Sequence, residues 1–423
     1  MCGRAVAGGC AGPRLEGLPA NRPFYAFWII AAQFSTFLNP QLARDRSRLA
    51  RCRNSYKRDL ISLQSAHLSD LKVDPVVIGK TKKSQVIRRH LLDVVRSGRA
   101  DIVADACELF GVTRQAVHRH LAHLTREGFL EALGTTRGRT YRLGPNRQQS
   151  GVYTLGAIAE DRVYASDFAY IVDGLSKNVQ GIWHYGFTEM LNNAIDHSSG
   201  SQVEITAHRG DERLVLDIWD DGEGIFRRIA RLMDLGDPRE AILELSKGKL
   251  TTDPANHTGE GIFFTSRAFD FFLIASGELV FSHDDECKPE LLGHLDNEIG
   301  GTRVMMMFSP ATERTLASVF DEYTDADTFD FSKTVVPVRL ALYEGVALVS
   351  RSQAKRIMNR IERFTNVVLD FEGVDTVGRS FVDEIFRVFA RNHPEITIIP
   401  VNMNAEVQKE VARVAGSGAG APV

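Results

Sequence analysis

Hydrophobic and polar positions divide the chain into three patterned regions. The first region contains three stretches in which apolar residues recur at helical spacing. Two short strand-like runs then flank a basic turn. The middle region combines an amphipathic helix, a β-hairpin and glycine-rich turns. In the third, strands alternate with helices, as in an α/β sandwich. The pattern predicts an α+β multidomain protein with domains at 79–146, 155–312 and 330–416.

The two ends of the chain lack such a pattern. Residues 1–78 combine Gly- and Pro-rich sequence, an apolar stretch at 24–38 and a basic run. The apolar stretch is too short for a transmembrane helix, so we expect no membrane association. We expect a poorly organised or disordered extension, or a misplaced translation start, with an interfacial anchor as the alternative. Residues 417–423 are expected to be a flexible tail.

Composition places few limits on function. The 423 residues carry a net charge of −3, which gives no general attraction to DNA or membranes, so any affinity for nucleic acid must be local. The five cysteines are scattered and form no motif. A reducing, cytoplasmic location is the simplest expectation.

The helix predicted at 187–197 has an unusual polar face. Glu189, Asn193 and Asp196 fall on one side, with His197 at its margin. The opposite side is apolar and consists of Phe187, Met190, Leu191, Ala194 and Ile195. Carboxylate and amide groups suit a metal or phosphate better than bulk water. No Cys or His lies at zinc spacing from His197 or His257, so a structural role is expected for both.

A β-hairpin follows this helix and ends in an acidic, glycine-containing turn. Asp220 continues the inward-facing alternation of the second strand, and a buried carboxylate is costly unless a group pairs with it. The exocyclic amine of adenine only donates, whereas guanine presents an acceptor there, so Asp220 would select ATP over GTP. Gly222 and Gly224 permit close approach of a ligand to the backbone. An ordinary Asp-Gly surface turn is the alternative.

Two further glycine motifs occur downstream. Gly259 and Gly261 precede an apolar helix, where free backbone N–H groups could cradle phosphate. A glycine-rich helix start without a ligand is the alternative. Gly300 and Gly301 precede Thr302, which places a hydroxyl at the start of a strand.

In this order, the four motifs resemble the GHKL ATP-binding superfamily of gyrase, histidine kinases and anti-sigma-factor kinases, over about residues 164–310. The resemblance implies an α/β sandwich with a Bergerat-type ATP site and the cofactors ATP and Mg²⁺. It implies that Asn193 ligates Mg²⁺, that Asp220 binds the adenine amine and that Glu189 is the general base. The remaining nucleotide-binding positions implied are Gly222, Gly224, Gly259, Gly261 and Thr302.

The same resemblance implies a mobile lid at 226–257. Lys247 or Lys249 within it could reach the γ-phosphate, and a solvated helix end is the alternative for each lysine. Asp221 stands where many members of the superfamily have Asn, a change that the superfamily tolerates.

Residues 82–143 resemble the winged helix-turn-helix domains of bacterial regulators. Thr113 caps the third helix, and its exposed residues could read base edges and grip phosphates. These DNA-binding candidates are Arg114, Gln115, His118 and Arg119. The wing would add backbone contacts from Arg137, Arg139 and Arg142. Protein contacts alone are the alternative. A long dimeric hairpin with a phosphoacceptor His is missing, which counts against a two-component sensor.

Residues 370–384 are similar to STAS-like domains, and Ser380 matches the serine that is phosphorylated in anti-anti-sigma factors. The loop before Ser380 differs from the usual pattern, and a helix N-cap is the alternative role. We therefore expect a bacterial regulator that acts as a serine kinase, on Ser380 or on a STAS-type or sigma-regulator partner, or as an ATPase coupled to transcription regulation through the winged helix. The alternative is a nucleotide-gated DNA- or protein-binding switch without phosphotransfer. A homodimer is a further candidate.

Overall fold

The computed structural model describes residues 83–98, 101–134, 138–250, 259–285, 291–325, 330–342 and 347–415. The extension at 1–78, the tail at 417–423, and His257, Thr258 and Arg137 lie outside these ranges. Within them, no helix combines the length and apolarity needed to cross a membrane.

The first described region contains three helices and a hairpin. The bounds are α1 Lys83–Arg96, α2 Ile102–Phe110, α3 Arg114–Arg126, β1 Leu130–Leu133 and β2 Thr140–Leu143. Thr113 caps α3, because its Oγ1 accepts a hydrogen bond from Ala116 N at 3.3 Å. The three helices pack against one another, and α1 and α3 each bury an apolar stripe that includes Leu91 and Leu121, respectively, whereas α2 buries Ala106. β1 and β2 pair antiparallel.

The central region is built on a five-stranded antiparallel sheet in the order β3-β4-β5-β7-β6. The strands are β3 Arg147–Thr154, β4 Gln202–Arg209, β5 Leu214–Asp220, β6 Phe271–Asp284 and β7 Leu291–Phe308. The sequence prediction left β3 between two domains. It is the edge strand of this sheet and pairs with β4 along its whole length. β3 therefore joins the helical region directly to the sheet.

Helices cover one side of this sheet. Their bounds are α4 Glu160–Val163, α5 Lys177–His197, α6 Ile225–Leu232, α7 Pro238–Lys247, α8 Gly261–Ala268 and α9 Leu316–Tyr323. The helix predicted at 187–197 is the second half of α5, which crosses β5 and β7. Its apolar face is buried as predicted, with Phe187 fully enclosed and its ring centroid 5.1 Å from that of Phe168.

The C-terminal region contains a three-stranded parallel sheet in the order β10-β9-β8. Its elements are β8 Lys333–Pro337, α10 Arg351–Met358, β9 Asn366–Asp370, α11 Arg379–Asp383, β10 Thr397–Val401 and α12 Ala405–Ala415. The prediction of a helix over 350–364 is wrong beyond Met358, where α10 ends. Arg360 adopts a left-handed φ of 60°, which ends the helix before a short 3₁₀ turn. α11 continues through a π-helical turn, Glu384–Phe389.

Candidate functional site

One cleft in the central region collects most of the predicted site residues. It lies between the second half of α5, the end of β5, the start of α6, the end of α7 and the start of α8. The predicted residues that line it are Glu189, Asn193, Asp220, Gly259, Gly261 and Thr302. His197 also lines the cleft, whereas Asp196 is exposed outside it.

Asp220 is a buried carboxylate that lines the cleft and is held through one of its two oxygens. Its side chain is 6% exposed, and Oδ1 accepts hydrogen bonds from Gly222 N at 2.9 Å and Thr302 N at 3.2 Å. Burial raises the pKa of Asp220 to about 6, and backbone hydrogen bonds from Gly222, Thr302 and Asp220 itself oppose part of that rise. No described residue donates to Oδ2. An exocyclic amine placed there would satisfy this oxygen.

Thr302 organises the neighbouring turn. It pairs with Asp220 across β5 and β7, and its Oγ1 accepts a hydrogen bond from Ile225 N at 2.9 Å. Ile225 begins α6, so the buried hydroxyl satisfies one of the free N–H groups at that helix start. The hydroxyl therefore fixes α6 beside the carboxylate.

Gly222 and Gly224 do not line the cleft and have packing reasons of their own. A Cβ at Gly222 would lie 2.1 Å from Ser198 O, and one at Gly224 would lie 2.5 Å from Ser276 Oγ. Gly224 also adopts a φ of 89°, which disfavours other residues. These glycines let the turn after Asp220 lie flat against α5 and β6. Direct contact of either glycine with a nucleotide stays a prediction.

Glu189 and Gly261 meet at the other end of the cleft. A Cβ at Gly261 would lie 2.1 Å from Glu189 Oε2, so only glycine lets α8 begin this close to the carboxylate. Asn193 lies one turn further along α5, with Nδ2 3.9 Å from the Met190 sulfur. Among the described residues, none donates to its carbonyl oxygen. The Glu189 carboxylate, the Asn193 side chain and the start of α8 thus line the same part of the cleft.

The wall between these two ends is apolar, as in most small-molecule sites. It is formed by Met190, Ala194, Ile218, Ile225, Ile229, Leu245, Leu250, Ile262, Phe263 and Val304. Leu245, Leu250 and Arg228 were not predicted from the sequence. Leu245 carries the ordinary signal of a helical core, and Leu250 lies in the loop after α7. Arg228 donates from Nη1 to Ser199 Oγ at 3.1 Å.

The chemistry of the donors fits Mg²⁺ bound together with phosphate. In the described part of the chain, no group of three or more His, Cys, Asp or Glu side chains could hold a metal alone. Mg²⁺ usually takes only one or two protein oxygens beside substrate phosphates and water. The Asn193 carbonyl oxygen accepts no hydrogen bond from a described residue and would be able to act as such a ligand.

Neither lysine of the predicted lid points into the cleft. Lys247 is 1% exposed, and its Nζ donates to Glu244 Oε1 at 2.7 Å and to two carbonyls of the C-terminal region. Lys249 Nζ donates to Arg363 O at 3.1 Å. Neither lysine lines the cleft, so the expectation of a phosphate contact is wrong in this structure. The alternative of a solvated helix end is also wrong for Lys247, whereas Lys249 is partly exposed two residues beyond the helix.

Ser380 lies outside the cleft, on α11 of the C-terminal region. It is exposed and occupies the second helical position, while Gly378 is the N-cap. The N-cap alternative is thus wrong. Its role as a phosphoacceptor stays a prediction.

The four predicted DNA-contacting residues form an exposed face of α3. Arg114 and Gln115 lie in its first turn, and His118 and Arg119 follow one turn later. Val117 and Leu121, between and beyond them, are fully buried. The exposed and buried faces of α3 are therefore those expected from its sequence.

Comparison with known families agrees with two of the three predicted domains. Residues 182–263 match the family described as histidine kinase-, DNA gyrase B- and HSP90-like ATPase. Residues 353–408 match a STAS-like domain of unknown function (DUF4325). A comparison with curated proteins gives no match. The first match contains Glu189, Asn193, Asp220 and Gly261, and it implies ATP binding. The chain therefore contains a GHKL ATPase domain followed by a STAS-like domain.

Proposed function

We propose that this protein binds Mg·ATP in the cleft and uses it for serine phosphorylation that regulates transcription. The observation that carries the nucleotide assignment is Asp220, a buried carboxylate whose Oδ2 receives no hydrogen bond from a described residue. The purine would lie along the apolar wall with its amine on Asp220. The triphosphate would extend toward Asn193 and the start of α8, where Asn193 would hold Mg²⁺ and backbone N–H groups would meet phosphate.

Glu189 is placed for general-base catalysis at the phosphate end. Its carboxylate would accept the proton of a serine hydroxyl while that oxygen forms a bond to the γ-phosphorus. The bond from the γ-phosphorus to the β,γ-bridging oxygen breaks, and ADP leaves. Mg²⁺ would neutralise charge on the phosphates during this transfer. If water takes the place of serine, the same arrangement hydrolyses ATP.

Ser380 is our candidate acceptor on this chain. It is exposed at the start of α11 in the STAS-like domain, and no side-chain capping bond occupies it. A second copy of the chain or a separate STAS-type protein could present an equivalent serine. Transfer between two copies would require at least a transient homodimer.

Incubation with γ-labelled ATP and Mg²⁺ tests this assignment. We expect label on the wild-type chain and none on Ser380→Ala. Ser352→Ala, which changes another exposed serine of the same domain, is the matched control and should keep the label. An unlabelled wild type in the presence of a tightly bound nucleotide would contradict phosphorylation of this chain.

A nucleotide-gated switch without phosphotransfer is the second candidate function. The observation that favours it is the burial of Lys247 against the STAS-like domain, because a lysine held there does not contact phosphate. In this case the arrangement of domains, rather than a phosphoserine, would be the output. Unlabelled protein that binds ATP and changes its DNA or partner affinity would identify this function.

DNA binding through a winged helix at 82–143 is part of the same proposal. It is supported by three helices, an antiparallel hairpin and an exposed face on α3 with two arginines. The hairpin ends at Leu143 and β3 of the ATPase sheet begins at Arg147, so little chain separates the two. A change at the ATP site could therefore alter DNA binding. We place this regulator in the cytoplasm.

A further inference from the structure

The second part of α7 is buried on all sides, which is unusual for a helix with charged residues. Seven consecutive residues, from Ala241 to Lys247, are buried, and Glu244, Ser246 and Lys247 are polar. A surface helix normally buries only one stripe. α7 instead lies between the ATPase cleft and the STAS-like domain. On one side Leu245 lines the cleft, and on the other α7 packs against β8 and the following 3₁₀ turn.

Lys247 joins the two domains at the end of α7. Its three ammonium protons are matched by three acceptors: Glu244 Oε1 at 2.7 Å, Arg356 O at 3.0 Å and Asn359 O at 2.9 Å. The two carbonyls lie at the C-terminal end of α10: Arg356 is in its last turn, where its carbonyl also accepts from Asn359 N, and Asn359 follows the helix. Lys247 therefore acts as a C-terminal cap supplied by another domain. Burial lowers the pKa of Lys247, and the charge of Glu244 opposes that shift.

Hydrogen bonds to the backbone extend this connection beyond the lysine side chain. Thr334 Oγ1, fully buried, donates to Lys247 O at 2.7 Å. Lys249 O accepts from Arg360 Nη2 and from Arg363 Nη1, each at 2.8 Å. The backbone on both sides of Gly248 is thus fixed by the STAS-like domain.

A surface-facing ion pair completes the connection. Glu240 Oε1 lies 2.8 Å from Arg356 Nη1, one turn before Glu244 on α7. Glu240, Glu244 and Lys247 of α7 are therefore all matched by groups of α10 and the turn that follows it. Leu245 and Leu250, on either side of this fixed segment, form part of the cleft wall.

We infer that the STAS-like domain controls nucleotide affinity by holding α7 against the ATP cleft, with Lys247 as the positioning residue. The inference rests on the proposed function, since it takes ATP to be the ligand of the cleft. Release of Lys247 frees Leu245 and Leu250 to move away from the purine. A partner or phosphate on the STAS-like domain that loosens α10 would therefore weaken ATP binding. Because coupling between two sites is reciprocal, bound ATP would weaken binding of that partner by the same factor.

Dissociation of a fluorescent ATP analogue from the full-length chain in Mg²⁺ tests the inference. We expect Lys247→Met to release the analogue about tenfold faster than the wild type, within the usual range of coupling between sites. Lys355→Met is the matched control. Its side chain is 71% exposed on α10, and we expect no change in release rate.

Hydrogen exchange separates coupling from a purely structural effect. In the wild type, the bound analogue should slow amide exchange in α10, which does not line the cleft. In Lys247→Met, with the analogue at saturation, this slowing should disappear while exchange around Asp220 is still slowed. If Lys247→Met does not fold, Thr334→Val, which removes one buried hydrogen bond of the same connection, is measured in its place.

The outcomes distinguish the inference from its premise. Equal release rates in the variant and the wild type, without nucleotide-dependent slowing in α10, would overturn the inference and leave the ATP site intact. A wild type that does not bind the analogue would overturn the proposed function and the inference with it.

Discussion

Asp220→Asn should weaken ATP binding and yet stabilise the free protein. The asparagine Oδ1 can still accept from Gly222 N and Thr302 N, so the local backbone is retained. The charge disappears, and an amide N–H₂ replaces the oxygen that would face the adenine amine. Two donors would then face each other. Binding and stability should therefore change in opposite directions.

The size of the stability effect follows from the pKa of Asp220. The pKa rises from 3.8 to about 6 because the carboxylate is buried. A shift of roughly 2 units corresponds to about 3 kcal/mol as an upper bound. Because the folded pKa is raised, the stabilising contribution is present below pH 3.8 and is lost as the pH rises through about 6. The variant should thus be more stable than the wild type by ~1–3 kcal/mol at pH 7.5 and nearly equal to it at pH 4.

The effect on ATP follows from the lost acceptor. A hydrogen bond to a charged group contributes about 1.5–3 kcal/mol, and an unpaired donor adds a further cost. Affinity should fall at least ~100-fold, a difference of about 3 kcal/mol. For the same reason, wild-type affinity should decrease below pH 6, where Asp220 becomes protonated.

Asp221→Asn is the matched control, one residue away. Burial pushes the pKa of Asp221 up, but hydrogen bonds from Gln202 N and Ser201 outweigh burial and lower it. Its folded-state charge is therefore stabilising at neutral pH, and this variant should lose a little stability and keep ATP affinity. Thermal unfolding at several pH values and titration with Mg·ATP measure both properties. Normal ATP affinity in Asp220→Asn, or reduced stability at pH 7.5, would refute the reasoning.

Three further substitutions address catalysis and DNA. Glu189→Gln should bind ATP normally but lose at least ~100-fold in turnover, measured as phosphate release or label transfer; unchanged turnover would exclude a general-base role. Gly261→Ala should reduce turnover in the same assay, since its Cβ would displace the Glu189 carboxylate. Gly181→Ala should not, because a Cβ there would lie 4.0 Å from Leu316 Cδ1, an ordinary van der Waals contact. Arg114→Ala should weaken DNA binding and lower its salt dependence in gel-shift titrations, and an unchanged salt slope would contradict phosphate contact.

The residues that meet in the cleft could be predicted from the sequence because their signals are local. The face of α5 that carries Glu189 and Asn193 follows from helical spacing, and the inward position of Asp220 follows from strand alternation. Both are found in the structure. Each needs only the geometry of one element. The sequence alone did not show that Gly222 serves packing against Ser198 O, because that contact joins two distant elements.

The connections between domains could not be predicted in this way. β3 was missed because an edge strand is only partly buried on both faces, and its Gln148, Gln149 and Ser150 show no alternation. Lys247 resembles any lysine in the last turn of a helix, where a solvated position is usual. Its acceptors lie 109 and 112 positions along the chain, and only the packing of α7 against α10 brings them together.

The central claim is that the cleft is an ATP site that selects adenine through Asp220. The most direct measurement is calorimetric titration of the full-length protein with Mg·ATP and, separately, with Mg·GTP. We predict saturable binding of ATP to one site per chain and at least ~10-fold weaker binding of GTP. Guanine would place a hydrogen-bond acceptor opposite the Asp220 carboxylate, which itself only accepts. Absence of ATP binding, or equal affinity for the two nucleotides, would contradict the claim.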